Sequence, residues 1–221
     1  MDERKRNLTQ AHLRTPKAAA AAGIIFSLLT IAVLVLFRIS IPADPLESGA
    51  WLTTGTKSIA LALNLVPFAG IAFLWFIGVL RDRLGQSEDK FFATVFFGSG
   101  LLFLAMLFVA AAAVGAILLA FTAAPQDVIN SATFRFARAF SYNLVNVYMI
   151  KIAAVFIIST STVAVYTGFA PRWIAFIGYA LALFVLVGSY YVEWSFIVFP
   201  LWVLLISLYI LLDNLRQSKM S

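Results

Sequence analysis

"FFATVFFGSGLLFLAMLFVAAAAVGAILLAF", residues 91–121, carries no charged side chain over 31 positions. Its apolar residues come in unbroken blocks, without the alternation that marks a barrel strand. Its length exceeds the ~20 residues a helix needs to cross a bilayer. This stretch sets the class: an all-α chain whose solvent is largely lipid. The whole composition agrees. Hydrophobic residues make up 62% and charged residues 12% of the 221, with a mean hydropathy of +0.96. Soluble domains carry roughly 25% charged residues, so this chain has too little charge to cover itself in water.

Six stretches qualify as spans: Ala18–Phe37, Ile59–Leu80, Ala93–Phe121, Leu144–Tyr166, Trp173–Ser189 and Phe196–Leu212. The last two are the shortest, at 17 residues each. With the N-terminus inside, the inner segments hold eleven basic residues (Arg4, Lys5, Arg6, Arg14, Lys17, Arg81, Arg83, Lys90, Arg172, Arg216, Lys219). The outer segments hold four, namely Arg38, Lys57, Arg135 and Arg138. That bias predicts cytoplasmic N- and C-termini in an inner (plasma) membrane protein. Trp51, Tyr190, Tyr191 and Trp194 then fall at the outer edge and Trp173 at the inner, as aromatic anchors do.

The organisation expected is a basic cytoplasmic leader (1–17), one six-helix transmembrane domain (18–212) and a short cytoplasmic tail (213–221). The first apolar run is longer than a ~7–15-residue signal core and ends without a small-x-small site, so it reads as a retained anchor. Three spans in each half would suit an inverted repeat, yet the halves share no residue-level similarity.

Several chemistries have no material here. There is no cysteine, and the one histidine, His12, lies in the leader. Disulfides, thiolate nucleophiles and intramembrane His or Cys metal sites are excluded. None of the six spans contains Asp or Glu, so paired acids for hydrolysis and midplane acids for ion coupling are missing. A non-catalytic protein with no metal and no cofactor is expected. The net charge of +6 sits beside the spans, where topology accounts for it, and nucleic acid is not an expected partner. The expected partners are the lipid bilayer and either further copies of the chain or a membrane partner protein.

One ionisable group does lie inside a span. On a helix at 100° per residue, Tyr148, Lys151, Ser159, Thr162 and Tyr166 of "NVYMIKIAAVFIISTSTVAVY" (146–166) fall within about 80°, with Ser141 on the same line. Such a stripe should face the bundle interior or a wet cavity, because lipid offers hydroxyls no partner. Lys151 has two readings: a ligand or ion-pair residue near the outer mouth, or a stem snorkelling to the headgroups from about 10 Å down. Its preferred anion is Glu193, in the short connector after the fifth span, with Asp127 second. Before this span, "FRFARAFSYN" (134–143) reads as an interfacial segment, with Arg135 and Arg138 toward lipid phosphates.

Two further features bear on function. Pro67 in the second span frees a carbonyl near Leu63, and Asn64 is placed to bond the loosened backbone or another helix. "GSG" (98–100) in the long third span marks either a bend or close packing through Gly98, Gly100, Ala111–Ala113 and Gly115.

The second-to-third connection contains Gly78, Leu80, Asp82, Arg83 and Gly85 in "GVLRDRLG". This resembles the core of the G-x-L-x-D-R-x-G signature of the equivalent cytoplasmic loop in major facilitator transporters. The resemblance implies that Asp82 and Arg83 pair with helix ends during switching. It covers about eight of 221 residues, that family has twelve spans, and its further basic pair is replaced here by Gln86-Ser87. Turn chemistry and the inner-loop charge bias produce the same pattern, so no family is assigned. The functional expectation is a small carrier or transporter-like protein with a polar cavity near Lys151, or else a non-catalytic accessory or scaffold subunit of a membrane complex.

Overall fold

The computed structural model describes residues 16–84, 90–129, 131–189, 192 and 194–220. Among the described residues there are helices and no strands. The helix α1 spans Pro16–Ser40, and a 3₁₀ turn at Gly49–Trp51 leads into α2, Leu52–Leu84. Next come α3, Lys90–Ala123, the one-turn α4, Pro125–Ile129, and α5, Ala132–Asn143. A π-helical turn at Leu144–Met149 joins α5 to α6, Ile150–Thr167. Then α7 covers Arg172–Gly188 and α8 covers Val198–Met220.

The helix boundaries follow local chemistry. Pro16 opens α1 and Pro125 opens α4, positions where a missing N–H is tolerated. Ser131 caps α5 by accepting a hydrogen bond from the Phe134 amide at 3.0 Å. Gly168, at φ +67°, ends α6 in the left-handed conformation, its amide donating to the Ala164 carbonyl. Pro67 does not interrupt α2, which continues through it.

Among the described residues, five helices are long and apolar enough to cross a membrane: Ala18–Ser40, Gly49–Arg81, Thr94–Ala123, Ala132–Thr167 and Ser195–Arg216. The sixth, α7, is apolar and shorter, at 17 residues, or about 25 Å. The segment expected at the interface continues through the π turn into α6, giving one 36-residue helix where the sequence suggested a 23-residue span and a separate flank.

The chain packs α1 against α2 and α8, α2 against α3, α3 against α6, and α6 against α7. At mid-bundle the core is aromatic. Phe26 and Phe73 lie 4.5 Å apart, Phe103 and Phe199 4.3 Å, and Phe73 and Phe156 5.4 Å, joining α1, α2, α3, α6 and α8. Edge and tilted contacts of this kind add about 0.5–1.5 kcal/mol per pair beyond their burial. Helices also approach through glycine. Ser161 Oγ and Trp202 stand against Gly178, and Ser207 Oγ and Phe76 against Gly23. This is the small-residue packing expected between helices in lipid, where no hydrophobic force drives them together.

At the GSG stretch α3 is unbroken. A Cβ at Gly100 would come within 3.1 Å of Phe156 and 3.4 Å of Ile77, so its role is close packing. A Cβ at Gly98 would meet nothing within 4 Å beyond its own helix, and the Ser99 hydroxyl donates to the Phe96 carbonyl.

Candidate ligand-binding cavity

A half-open cavity of about 620 Å³ lies at the end of the bundle where α1 and α3 finish and α5 begins. That falls within the ~300–1,000 Å³ range of small-molecule sites. The walls follow from spacing. Leu107, Ala110, Ala111 and Val114 stand at i, i+3, i+4 and i+7, one face of α3. The two alanines leave room where larger side chains would fill the gap, so part of the "AAAA" run makes a void rather than a close helix contact. From α1 come Val33, Leu34, Phe37 and Arg38, and from the following loop Ile41, Pro42 and Ala43. Val66 of α2 closes the floor.

The fourth wall is α5 with the π turn: Arg138, Ser141, Tyr142 and Asn143, then Val145, Asn146, Val147 and Met149. A π turn holds more residues than an α turn, so the chain rotates less than 100° per residue there. Ser141 and Tyr148, seven residues apart, would superimpose on an uninterrupted α-helix. Instead Ser141 is buried and lines the cavity, while Tyr148 is 58% exposed. Asn146 Nδ2 donates to the Tyr142 carbonyl at 3.0 Å, four residues back.

The polar groups collect at one side. Arg138 is 8% exposed; it donates from Nη2 to the Pro42 carbonyl, and its guanidinium lies 5.6 Å from the Trp51 ring. Its buried Nε has no partner. Asp44 and Glu47, both exposed in the loop after α1, act on it through space. Arg38 stands 5.8 Å from the Trp194 ring. Cations over indole faces gain about 0.5–2 kcal/mol. Ser189 and Phe196 also line it, and among the described residues no acid is part of the lining. The result is a basic, hydrogen-bonding rim over an apolar floor.

Of the residues singled out from sequence, Lys151, Tyr148, Ser159, Thr162 and Asn64 are not part of this lining, whereas Arg138 and Ser141, read as an interfacial residue and as a member of the polar stripe, are. Lys151 is exposed on α6, as is Tyr148 in the π turn. Ser159 is buried and donates within its own helix, to the Val155 and Phe156 carbonyls. The Thr162 hydroxyl donates to the Ile158 carbonyl and accepts from the Tyr179 hydroxyl of α7 at 2.8 Å. Lys151 and Thr162 are eleven residues apart and share a helix face, but Tyr179 covers only the lower part of it. Asn64 is exposed and donates to the Ala60 carbonyl at 2.8 Å, one turn back, not to the group loosened by Pro67. Gly78 is exposed on α2. Gly85, Glu193 and the side chains of Asp82 and Arg83 lie outside the described residues. Asp127 is exposed in α4.

Sequence reasoning placed Arg138 at a lipid surface and missed its inward turn. The available signal was the spacing of Arg138, Ser141, Tyr142 and Val145, which puts polar groups on one face of an amphipathic segment. No protein-family model, no curated protein and no solved structure matches this chain.

Proposed function

We propose that this chain is a non-catalytic, six-span protein of the inner membrane, with both termini cytoplasmic, that takes a small ligand into the cavity from the outer side, as a carrier does. The cavity itself is the observation that carries the reading: a ~620 Å³ space with a polar rim and an apolar floor, walled by helices that each have the length of a span.

Six crossings find support in the chain's path. Arg38 at the end of α1 meets Trp194 just before α8, whereas α6 finishes at the opposite end of the bundle from the cavity. The chain therefore returns the length of the bundle through α7. Six crossings put both termini on one side, and the basic bias makes that side cytoplasmic.

The absence of cysteine makes the test clean. Single cysteines at Ser48, Asn146 and Ser218 are challenged in intact cells with a membrane-impermeant thiol reagent. Ser48→Cys and Asn146→Cys label from outside, and Ser218→Cys labels only after permeabilisation. Labelling of Ser218→Cys in intact cells reverses the topology; protection of Asn146→Cys from outside removes the outer cavity.

The accessory-subunit reading is favoured by a different observation. Tyr148 and Lys151 are exposed away from the cavity, as residues presented to a neighbouring protein would be. A second chain that co-purifies in stoichiometric amount, and is lost on Lys151→Met, would put that reading first.

A further inference from the structure

We propose that the cavity is built for an anionic amphiphile: a phosphate or carboxylate headgroup held at Arg138, with its hydrocarbon chain on the floor between α1 and α3. The inference rests on the cavity being a ligand site, and it names the ligand's chemistry.

Three observations converge. The first is charge. Two arginines, Arg38 and Arg138, stand on the rim, and among the described residues the lining contains no acid. The second is an unmet donor. Arg138 is 92% buried, by difference from its 8% exposure, yet its Nε has no partner. One Nη is spent on the Pro42 carbonyl. A guanidinium has five N–H donors in a planar fork that suits oxyanions, and a buried donor left without a partner is destabilising. An oxyanion in the cavity would draw on the donors that the fork has left, while Ser141 and Asn146 on the same wall already donate to the Ala137 and Tyr142 carbonyls. The third is the floor. Val33, Val66, Leu107, Ala110 and Met149 offer no hydrogen bond, so a small hydrated anion would leave most of the space unmatched, whereas an alkyl chain fills it.

Asp44 and Glu47 lie near enough to influence Arg138. They are exposed, outside the lining, and neither meets Nε. They soften the rim's positive field without replacing the ligand.

The test is native mass spectrometry of the whole protein in a neutral detergent, titrated with oleoyl lysophosphatidic acid, oleoyl lysophosphatidylcholine or inorganic phosphate. The wild type takes one lysophosphatidic acid at least tenfold more tightly than the net-neutral lipid with the same chain, and free phosphate does not compete. Arg138→Gln brings the two lipids to within threefold. Because Arg138 also holds the Pro42 carbonyl, that variant can fail to fold. Ala111→Phe is therefore run beside it: it fills the floor from α3, leaves the arginine intact, and weakens both lipids.

The outcomes separate the two levels of the argument. If Ala111→Phe blocks both lipids but the wild type shows no anionic preference, the cavity binds and the anionic inference falls. A preference that survives Arg138→Gln also overturns it. If free phosphate displaces lysophosphatidic acid at equal concentration, the ligand is a simple anion and the amphiphile is wrong. If Ala111→Phe binds every probe as the wild type does, the cavity is not a ligand site and both readings fail.

Discussion

Replacing Gly178 by alanine separates packing from helix propensity, because the two predict opposite signs. On propensity alone, Gly→Ala inside a helix stabilises by about 0.5–1 kcal/mol. In the folded chain, however, a methyl at Gly178 overlaps Ser161 Oγ and lies 2.6 and 2.8 Å from Trp202 ring carbons. Trp202 is 1% exposed and Ser161 fully buried, so neither side chain has open space to move into. Forcing an extra carbon into such a site costs about 1–3 kcal/mol, and a net loss near ~1 kcal/mol is expected once the propensity gain is subtracted.

The pairwise origin can be isolated. Ser161 Oγ has no hydrogen-bond partner, so Ser161→Ala alone should be neutral or stabilising by up to about 1 kcal/mol. The double variant loses the overlapping oxygen but keeps the Trp202 contact. It should recover about 0.5 kcal/mol of the loss, read as a coupling energy. Gly115 is the control: its nearest neighbour to a new methyl is Leu63 at 3.8 Å, ordinary contact, so Gly115→Ala should stabilise by about 0.5–1 kcal/mol. The assay is reversible unfolding in mixed maltoside and dodecyl sulfate micelles, followed by circular dichroism. If Gly178→Ala is as stable as the wild type or more so, the α6–α7–α8 junction is not packed as described.

Three other substitutions test neighbouring arguments. Lys151→Met should change stability by less than about 0.5 kcal/mol, since the lysine is exposed; a loss above 1 kcal/mol in the same assay would place its ammonium in a buried network. Gly168→Ala forces a side chain into φ +67° and should cost about 1–2 kcal/mol, seen as a lower unfolding midpoint with an unchanged helical spectrum. Tyr179→Phe removes the α6–α7 hydrogen bond to Thr162; interhelical bonds in membranes average about 0.6 kcal/mol, so a loss above about 2 kcal/mol would mean that the contact anchors more than one pair of groups.

The sequence by itself determined the class. Runs such as 91–121, with no charge and no alternation, can satisfy their backbone in lipid only as helices, and the structure has helices long and apolar enough to span. The cap at Gly168 depends only on neighbours in the chain. Pairing across the bundle does not. The polar stripe on α6 is visible in the sequence, but burial depends on what lies opposite: Tyr179 covers Thr162, and Lys151 is left exposed. The alanines of α3 are small in any reading; whether they admit a neighbour or leave a void is decided by the helix facing them. The largest departure is at Arg138. A uniform 3.6-residue helix carries phase unchanged along its length, whereas the π turn at 144–149 shifts it. A shift of that kind comes from how a backbone turn settles against its neighbours, and so the position of the cavity belonged to the tertiary structure alone.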